Sequence, residues 1–167
     1  ETEQEAVDET LKILNIYTDV VENFMGIPLT VGKKSENEKF AGAIDTYSIE
    51  AMMGDKKALQ AGTSHYLGQN FSKAFNVKFQ DVDNKEKYVF ATSWGVSTRL
   101  IGALIMVHGD DKGLRLPPNI APIQVVVVPI YKNDDDLNKI KNYMKPVLEH
   151  LSKNKNSFYF DERQKLS

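Results

Sequence analysis

Pro117, Pro118 and Pro122 fall within one short stretch of the chain, and no other feature limits the fold as much. A proline lacks the backbone donor that a helix interior or a central strand needs, and its ring pushes the preceding residue out of helical geometry. The 167-residue chain therefore cannot continue one helix or one sheet through this point. A domain boundary is expected near Asn119, with residues 1–118 on one side and 119–167 on the other.

The first side mixes a helix with strands. Val7, Leu11, Leu14, Val21 and Phe24 recur at spacings of three and four and their multiples, the pattern of an amphipathic helix up to about Met25, which Gly26 and Pro28 stop. No cap is evident ahead of it, and Glu1 to Glu5 read like the interior of something longer. Residues 29–31, 43–53 and 59–67 suit strands, with a polar loop over 32–39 and a short helix over 69–75. Residues 77–80 and 88–94 are strand-like around Asp81, Asp83 and Asn84, which predicts an antiparallel hairpin. The apolar run from Leu100 to Val107 predicts a buried helix, with Ser97 and Thr98 available as caps and Gly109 to end it.

The second side has a different pattern. Val125 to Val128 is a continuous apolar run of the kind found in strands covered on both faces. Leu137, Ile140, Met144, Val147, Leu148 and Leu151 form a helical stripe, which Pro146 is expected to kink or split. Residues 158–160 start another strand. The order is β-α-β, predicting a parallel α/β unit, and because two strands alone are marginal in water the unit is expected to be incomplete.

Composition excludes several kinds of chemistry. Cysteine is absent and the three histidines are scattered, so disulfides, thiolate nucleophiles and a zinc site find no support. No charged-then-apolar leader and no apolar run of about 20 residues is present, which leaves a cytoplasmic, non-membrane protein as the expectation. A net charge of -2 argues against a surface built around phosphate backbones. Lys33, Lys34 and Lys39 alternate with Glu36 and Glu38 and read as a solvated loop rather than an RNA-binding patch.

Three constellations could carry chemistry. Gly95-Val96-Ser97-Thr98-Arg99 is a strand giving way to a helix with an arginine in its first turn. Free amides, the helix dipole and a guanidinium suit a phosphate there, although an ion pair between Arg99 and a carboxylate fits the same pattern. A Gly-rich loop ending in Lys and Ser or Thr is missing, which excludes P-loop chemistry. In the run from Gln60 to Gly68, small residues leave room beside a strand, Thr63 and His65 share a face, and Gln60 could read an adenine or a ribose. Phe40 and Trp94 could wall a small apolar pocket or simply fill a core.

Taken together these runs resemble a known family. Lys39-Phe40-Ala41-Gly42, Gln60-Ala61-Gly62-Thr63-Ser64-His65-Tyr66-Leu67-Gly68-Gln69-Asn70-Phe71 and Ser93-Trp94-Gly95-Val96-Ser97-Thr98-Arg99-Leu100-Ile101-Gly102 are similar to prolyl-tRNA synthetases of the eukaryotic and archaeal-like type. So is Met106 to Pro118, with His108-Gly109-Asp110-Asp111 and Leu116-Pro117-Pro118. The resemblance implies an α+β fold, in which residues 1–118 are the later half of a class II antiparallel-sheet catalytic domain. Residues 119–167 would begin an α/β anticodon-binding domain.

It also implies a function. The parent would be a proline-tRNA ligase that activates proline with ATP and Mg²⁺ to prolyl-adenylate and transfers it to tRNA(Pro), as a homodimer. Arg99 would be the catalytic phosphate ligand, with Gln60, Thr63 and Ser97 as further ATP contacts. Phe40, His65 and Trp94 would form the proline pocket, and no protein metal site is expected. The family's first two motifs would lie before Glu1, so the isolated chain is expected to be inactive. The rival reading is a noncatalytic synthetase-like module that binds an amino acid or a partner protein.

Overall fold

A capping box opens the first helix, α1 (Glu3–Asp19): the Thr2 hydroxyl accepts from the Glu5 amide, and the Glu5 carboxylate accepts from the Thr2 amide. The expectation of an uncapped helix is thereby corrected. The signal is Thr-x-x-Glu, which satisfies two orphan donors reciprocally and lies in polar residues that apolar periodicity passes over. The computed structural model describes residues 1–163. Residues 164–167, the end of the span assigned to the second domain, lie outside the described residues. By internal packing the chain divides into Glu1–Leu116 and Pro117–Ser167.

In the first unit α1 runs into a π-helical turn over Val20–Phe24. A four-stranded antiparallel sheet follows, ordered β1 (Leu29–Lys33), β2 (Asp45–Met52), β3 (Ala58–Gly68) and β6 (Ala91–Val96). Leu14, Val21, Met25, Ile27, Ile49, Ala51, Ala61 and Ala103 make its core, with α1 on one face of the sheet. Between them the Ser64 hydroxyl donates to the Thr10 carbonyl at 2.8 Å, and both residues are fully buried. That bond directs the even positions Gly62, Ser64 and Tyr66 toward the helix, Tyr66 reaching Glu3 at 2.9 Å. The odd positions Thr63 and His65 point to the opposite face.

Two further expectations in this unit need correction. The hairpin is formed by β4 (Lys78–Gln80) and β5 (Glu86–Tyr88), and residues 91–96 pair with β3 instead. A short turn closes the hairpin early through Asp81 N–H to the Lys85 carbonyl, 2.9 Å. The following residues are left to satisfy the backbone groups of β3, which would otherwise be an open edge. A short helix, α2 (Asn70–Ala74), lies between β3 and β4. The second correction concerns α3 (Arg99–His108), which is not buried: Ala103 alone is fully covered, while Ile101 and Met106 are more than half exposed. It packs on the core along one stripe. Its first turn is held by Ser97, whose hydroxyl accepts from the Arg99 amide at 3.3 Å. A small hairpin of β7 (Gly109–Asp110) and β8 (Gly113–Leu114) follows.

The second unit holds β9 (Val125–Val127), α4 (Asp134–Lys153) and β10 (Phe158–Phe160), with the two strands parallel. Asn133 caps α4 by accepting from Asp136, and Asp134, Asp135 and Asp136 sit at the positive end of its dipole. Of the kink or split expected at Pro146, the split does not occur: the helix runs unbroken through it. That residue is exposed, so water can solvate the carbonyl that loses its donor. Val126 is half exposed, so among the described residues β9 is covered on one face only. No described helix is long and apolar enough to cross a membrane.

Gly68 closes β3 at φ +56°, and a Cβ there would lie 2.2 Å from the Ile44 side chain. Gly68→Ala is expected to cost at least about 1–2 kcal/mol, the left-handed penalty for an L-residue. Gly32→Ala, where nothing lies within 4 Å, is expected to cost less. Urea denaturation of the two variants checks the difference.

Candidate active site

A β-bulge builds the site. Strand β2 pairs Ile49 with Gly62 and Glu50 with Gln60, so Ala61 is an extra residue in β3. Strict alternation would send Gln60 toward α1 with Gly62 and Ser64. The bulge turns it to the other face, where Ser48, Glu50 and Thr63 lie. On that face Gln60, Thr63, Gly95, Ser97 and Arg99 line a cleft of about 220 Å³. The structure thus brings together the four residues expected around a nucleotide. Arg99 donates from Nη1 to the Gln60 carbonyl at 3.2 Å and, among the described residues, pairs with no carboxylate.

Beside the cleft, two register positions along β3, stands an aromatic cluster. The Phe40 ring lies 5.0 Å from His65, tilted by 42°, and 6.2 Å from Phe71, roughly stacked. Gly42 makes this possible: it sits at φ +89°, and a Cβ would come within 2.8 Å of the Phe71 ring. The Thr46 hydroxyl accepts from the Phe40 amide at 3.0 Å and lies 2.9 Å from His65 Nδ1. The Thr46 hydroxyl thereby ties the His65 ring to the backbone of Phe40. Burial, and then the nearby Lys34 ammonium, hold the His65 pKa below its ordinary value, so the ring is neutral at pH 7.

Trp94 is not part of this cluster. It pairs in register with Ser64, while Ser93 pairs with His65; cross-strand partners share a face, so Trp94 lies on the α1 side of the sheet. The expectation that Phe40, His65 and Trp94 stand together is corrected: Phe40 and His65 cluster with Phe71. Phe71 carried no local signal of its own, being one aromatic in a short helix 31 positions after Phe40.

Lys34 is the other residue missed, because the charge pattern of residues 33–39 reads as a solvated loop. Its ammonium donates to the Gln60 side-chain oxygen at 2.6 Å. Among the described residues no group of three His, Cys, Asp or Glu is arranged to hold a metal ion. The face therefore offers two cations, the Glu50 carboxylate, hydroxyl and amide groups, and an aromatic cluster with one neutral imidazole. That set suits an anionic ligand with a small apolar part.

Comparison with known proteins adds to this geometry. Residues 1–108 match the family model described as the tRNA synthetase class II core domain (G, H, P, S and T). The chain is 64% identical to the proline–tRNA ligase of Borreliella afzelii over 153 residues, 91% of this chain and 31% of that protein. It is 57% identical to the proline–tRNA ligase of Flavobacterium johnsoniae over 162 residues, 97% of this chain and 33% of that protein. Among solved structures it is similar to prolyl-tRNA synthetase from Cryptosporidium parvum complexed with L-proline and AMP. The TM-score is 0.84 at 44% identity, covering 98% of this chain and 35% of that one. The chain spans about a third of the length of these relatives.

The depressed pKa of His65 gives a pH test. The unfolded chain takes up a proton near the ordinary value of 6.5 and the folded chain only below it. The stability from a neutral His65 is therefore complete above pH 6.5 and lost as pH falls through the folded value. Urea midpoints measured from pH 8 to pH 5 are expected to fall further for the wild type than for His65→Gln. Parallel curves would contradict the assignment.

Proposed function

We propose, from the premise that this chain belongs to the class II tRNA synthetase core-domain family, that it is part of a proline–tRNA ligase and carries one side of its adenylate-forming site. The observation that carries the reading is the single sheet face on which Gln60, Thr63, Ser97 and Arg99 surround a cleft beside the Phe40, His65 and Phe71 cluster. The similar Cryptosporidium parvum enzyme holds L-proline and AMP, which supports a site for an amino acid next to one for a nucleotide.

In this reading ATP lies in the cleft, with the Arg99 guanidinium on its phosphates and Gln60, Thr63 and Ser97 on its polar edges. Proline lies against the aromatic rings, whose faces suit a small ring with a cationic amine. A carboxylate oxygen of proline attacks the α-phosphate and pyrophosphate leaves, giving prolyl-adenylate. No side-chain acid or base is required, and the protein's work is alignment and charge stabilisation. The prolyl group then passes to tRNA(Pro).

Mg²⁺ binds through phosphates, waters and one or two carboxylates. Glu50, paired across the sheet with Gln60 and accepting from Ser48 at 3.1 Å, is the carboxylate of this face that would hold an ion carried in with the triphosphate; the Gln60 oxygens are taken by Lys34 and Arg99. When bound, the ion would offset phosphate charge. The unit Pro117–Ser167 is proposed as the start of an anticodon-binding domain. The full-length protein would act as a cytoplasmic homodimer.

Steady-state proline-dependent ATP–pyrophosphate exchange on the full-length protein tests the assignment. A charged hydrogen bond is worth about 1.5–3 kcal/mol, so Arg99→Ala is expected to raise the Michaelis constant for ATP at least about tenfold. His65→Ala is expected to raise that for proline far more than that for ATP. Equal effects of both variants on both substrates would mean that these side chains pack a core and bind nothing.

A further inference from the structure

We propose that Lys34 is a catalytic residue of this site: a cation held between the aromatic cluster and the nucleotide cleft, touching the amino-acid carboxylate where it meets the α-phosphate. The inference rests on the reading of this face as an adenylate-forming site and adds to it a residue that lies outside the family-like runs.

The backbone fixes where the lysine starts. Its amide donates to the Thr46 carbonyl at 2.8 Å, and Thr46 is paired with His65, so Lys34 begins on the row of the aromatic cluster. Its ammonium ends at the Gln60 side-chain oxygen, 2.6 Å away, on the row of the cleft. Between these rows lies the Ser48–Thr63 pair. Lys34 from one row and the Gln60 side chain from the other therefore meet across the floor between the two halves of the site. Its charge is also felt at His65, whose pKa it helps to lower.

The chemistry of its partner matters as much as the position. Gln60 offers a neutral amide oxygen, which holds the ammonium in place without cancelling its charge. Among the described residues Lys34 makes no ion pair; Glu50, the carboxylate on the same face, is engaged by Ser48 instead. The adjacent Lys33 is a contrast: it lies on the other face with Tyr47 and is paired with Asp45 at 2.6 Å. Among the described residues, Lys33 is thus neutralised and Lys34 makes no ion pair, and Lys34 is held by Gln60, which lines the cleft together with Arg99.

Adenylate formation brings two anions together. A carboxylate oxygen forms a bond to the α-phosphorus, the bond from that phosphorus to the bridging oxygen breaks, and pyrophosphate leaves with the electron pair. Lys34 transfers no proton. Its fixed positive charge between carboxylate and phosphate reduces their repulsion and stabilises the charge that builds in the transition state, an effect preorganised before either ligand arrives. The amide of Gln60 serves as its rest in the free protein.

The test is ATP–pyrophosphate exchange on the full-length protein, with proline and ATP varied in turn. Lys34→Met is expected to lower kcat about a hundredfold, in the range for loss of one preorganised charge-stabilising donor, with a smaller change in either Michaelis constant. Lys34→Arg restores the charge and is expected to recover most of the rate, and Lys33→Met is expected to stay near wild type. Lys34→Met made in a Gln60→Ala background separates direct action from support of Gln60: a further loss supports contact with the ligands, and no further loss overturns it. A wild-type rate in Lys34→Met, or equal losses in the Met and Arg variants accompanied by a lowered urea midpoint, also overturns it. An active wild type with an indifferent Lys34 removes this inference alone; a full-length protein with no proline-dependent exchange removes the proposed function and this inference together.

Discussion

The hydrogen bond from Ser64 to the Thr10 carbonyl is the constraint on which the rest of the first unit depends. It is buried completely between α1 and the middle of the sheet, where an unpaired hydroxyl would carry its full desolvation cost. Because strand side chains alternate, choosing the face of Ser64 chooses the face of every neighbour in β3. Thr63 and His65 are sent away from the helix, and through the register Ser93 and Gly95 go with them. The packing that stabilises the unit and the face that could bind a ligand are two sides of one decision.

The bulge at Ala61 then breaks the alternation where the site needs it. Ala61 and Gly62 both stay on the core side, Ala61 within the hydrophobic cluster and Gly62 against Ile49 and Val96. Gln60 is released to the opposite face, where its two oxygens hold the two cations, Lys34 on the side chain and Arg99 on the backbone carbonyl. A chain with a net charge of -2 thereby keeps two cations on one face that make no ion pair among the described residues, with Glu50 the carboxylate beside them. Both cations are held by neutral oxygens, which fix geometry without removing the field an anionic ligand would feel.

The second unit obeys simpler rules. Its helix is started by Asn133 and three aspartates, and it survives Pro146 because the lost donor lies on a solvated side. Its two parallel strands leave Val126 half exposed, as expected of a sheet too narrow to cover both of its faces.

What the sequence by itself determined is local. The strands around residues 43–53 and 59–67, the turn that places Arg99 in the first turn of a helix, and the β-α-β order after the prolines are all readable, because alternation, capping and proline chemistry act within a few residues. The family-like runs also named Gln60, Thr63, Ser97 and Arg99 before their meeting in one cleft was visible. The tertiary structure alone decided which side of the sheet each residue occupies. Alternation puts Gln60 on the helix side, and only a bulge set by pairing with β2 moves it. Trp94 is next to Gly95 in sequence, yet its pairing with Ser64 removes it from the aromatic cluster, while Phe71 enters through a glycine at Gly42. Lys34 looks like one charge among several until its reach to Gln60, 26 positions later, gives it a place. Strand register and bulges are fixed by contacts between distant segments, and no local pattern of residues carries that information.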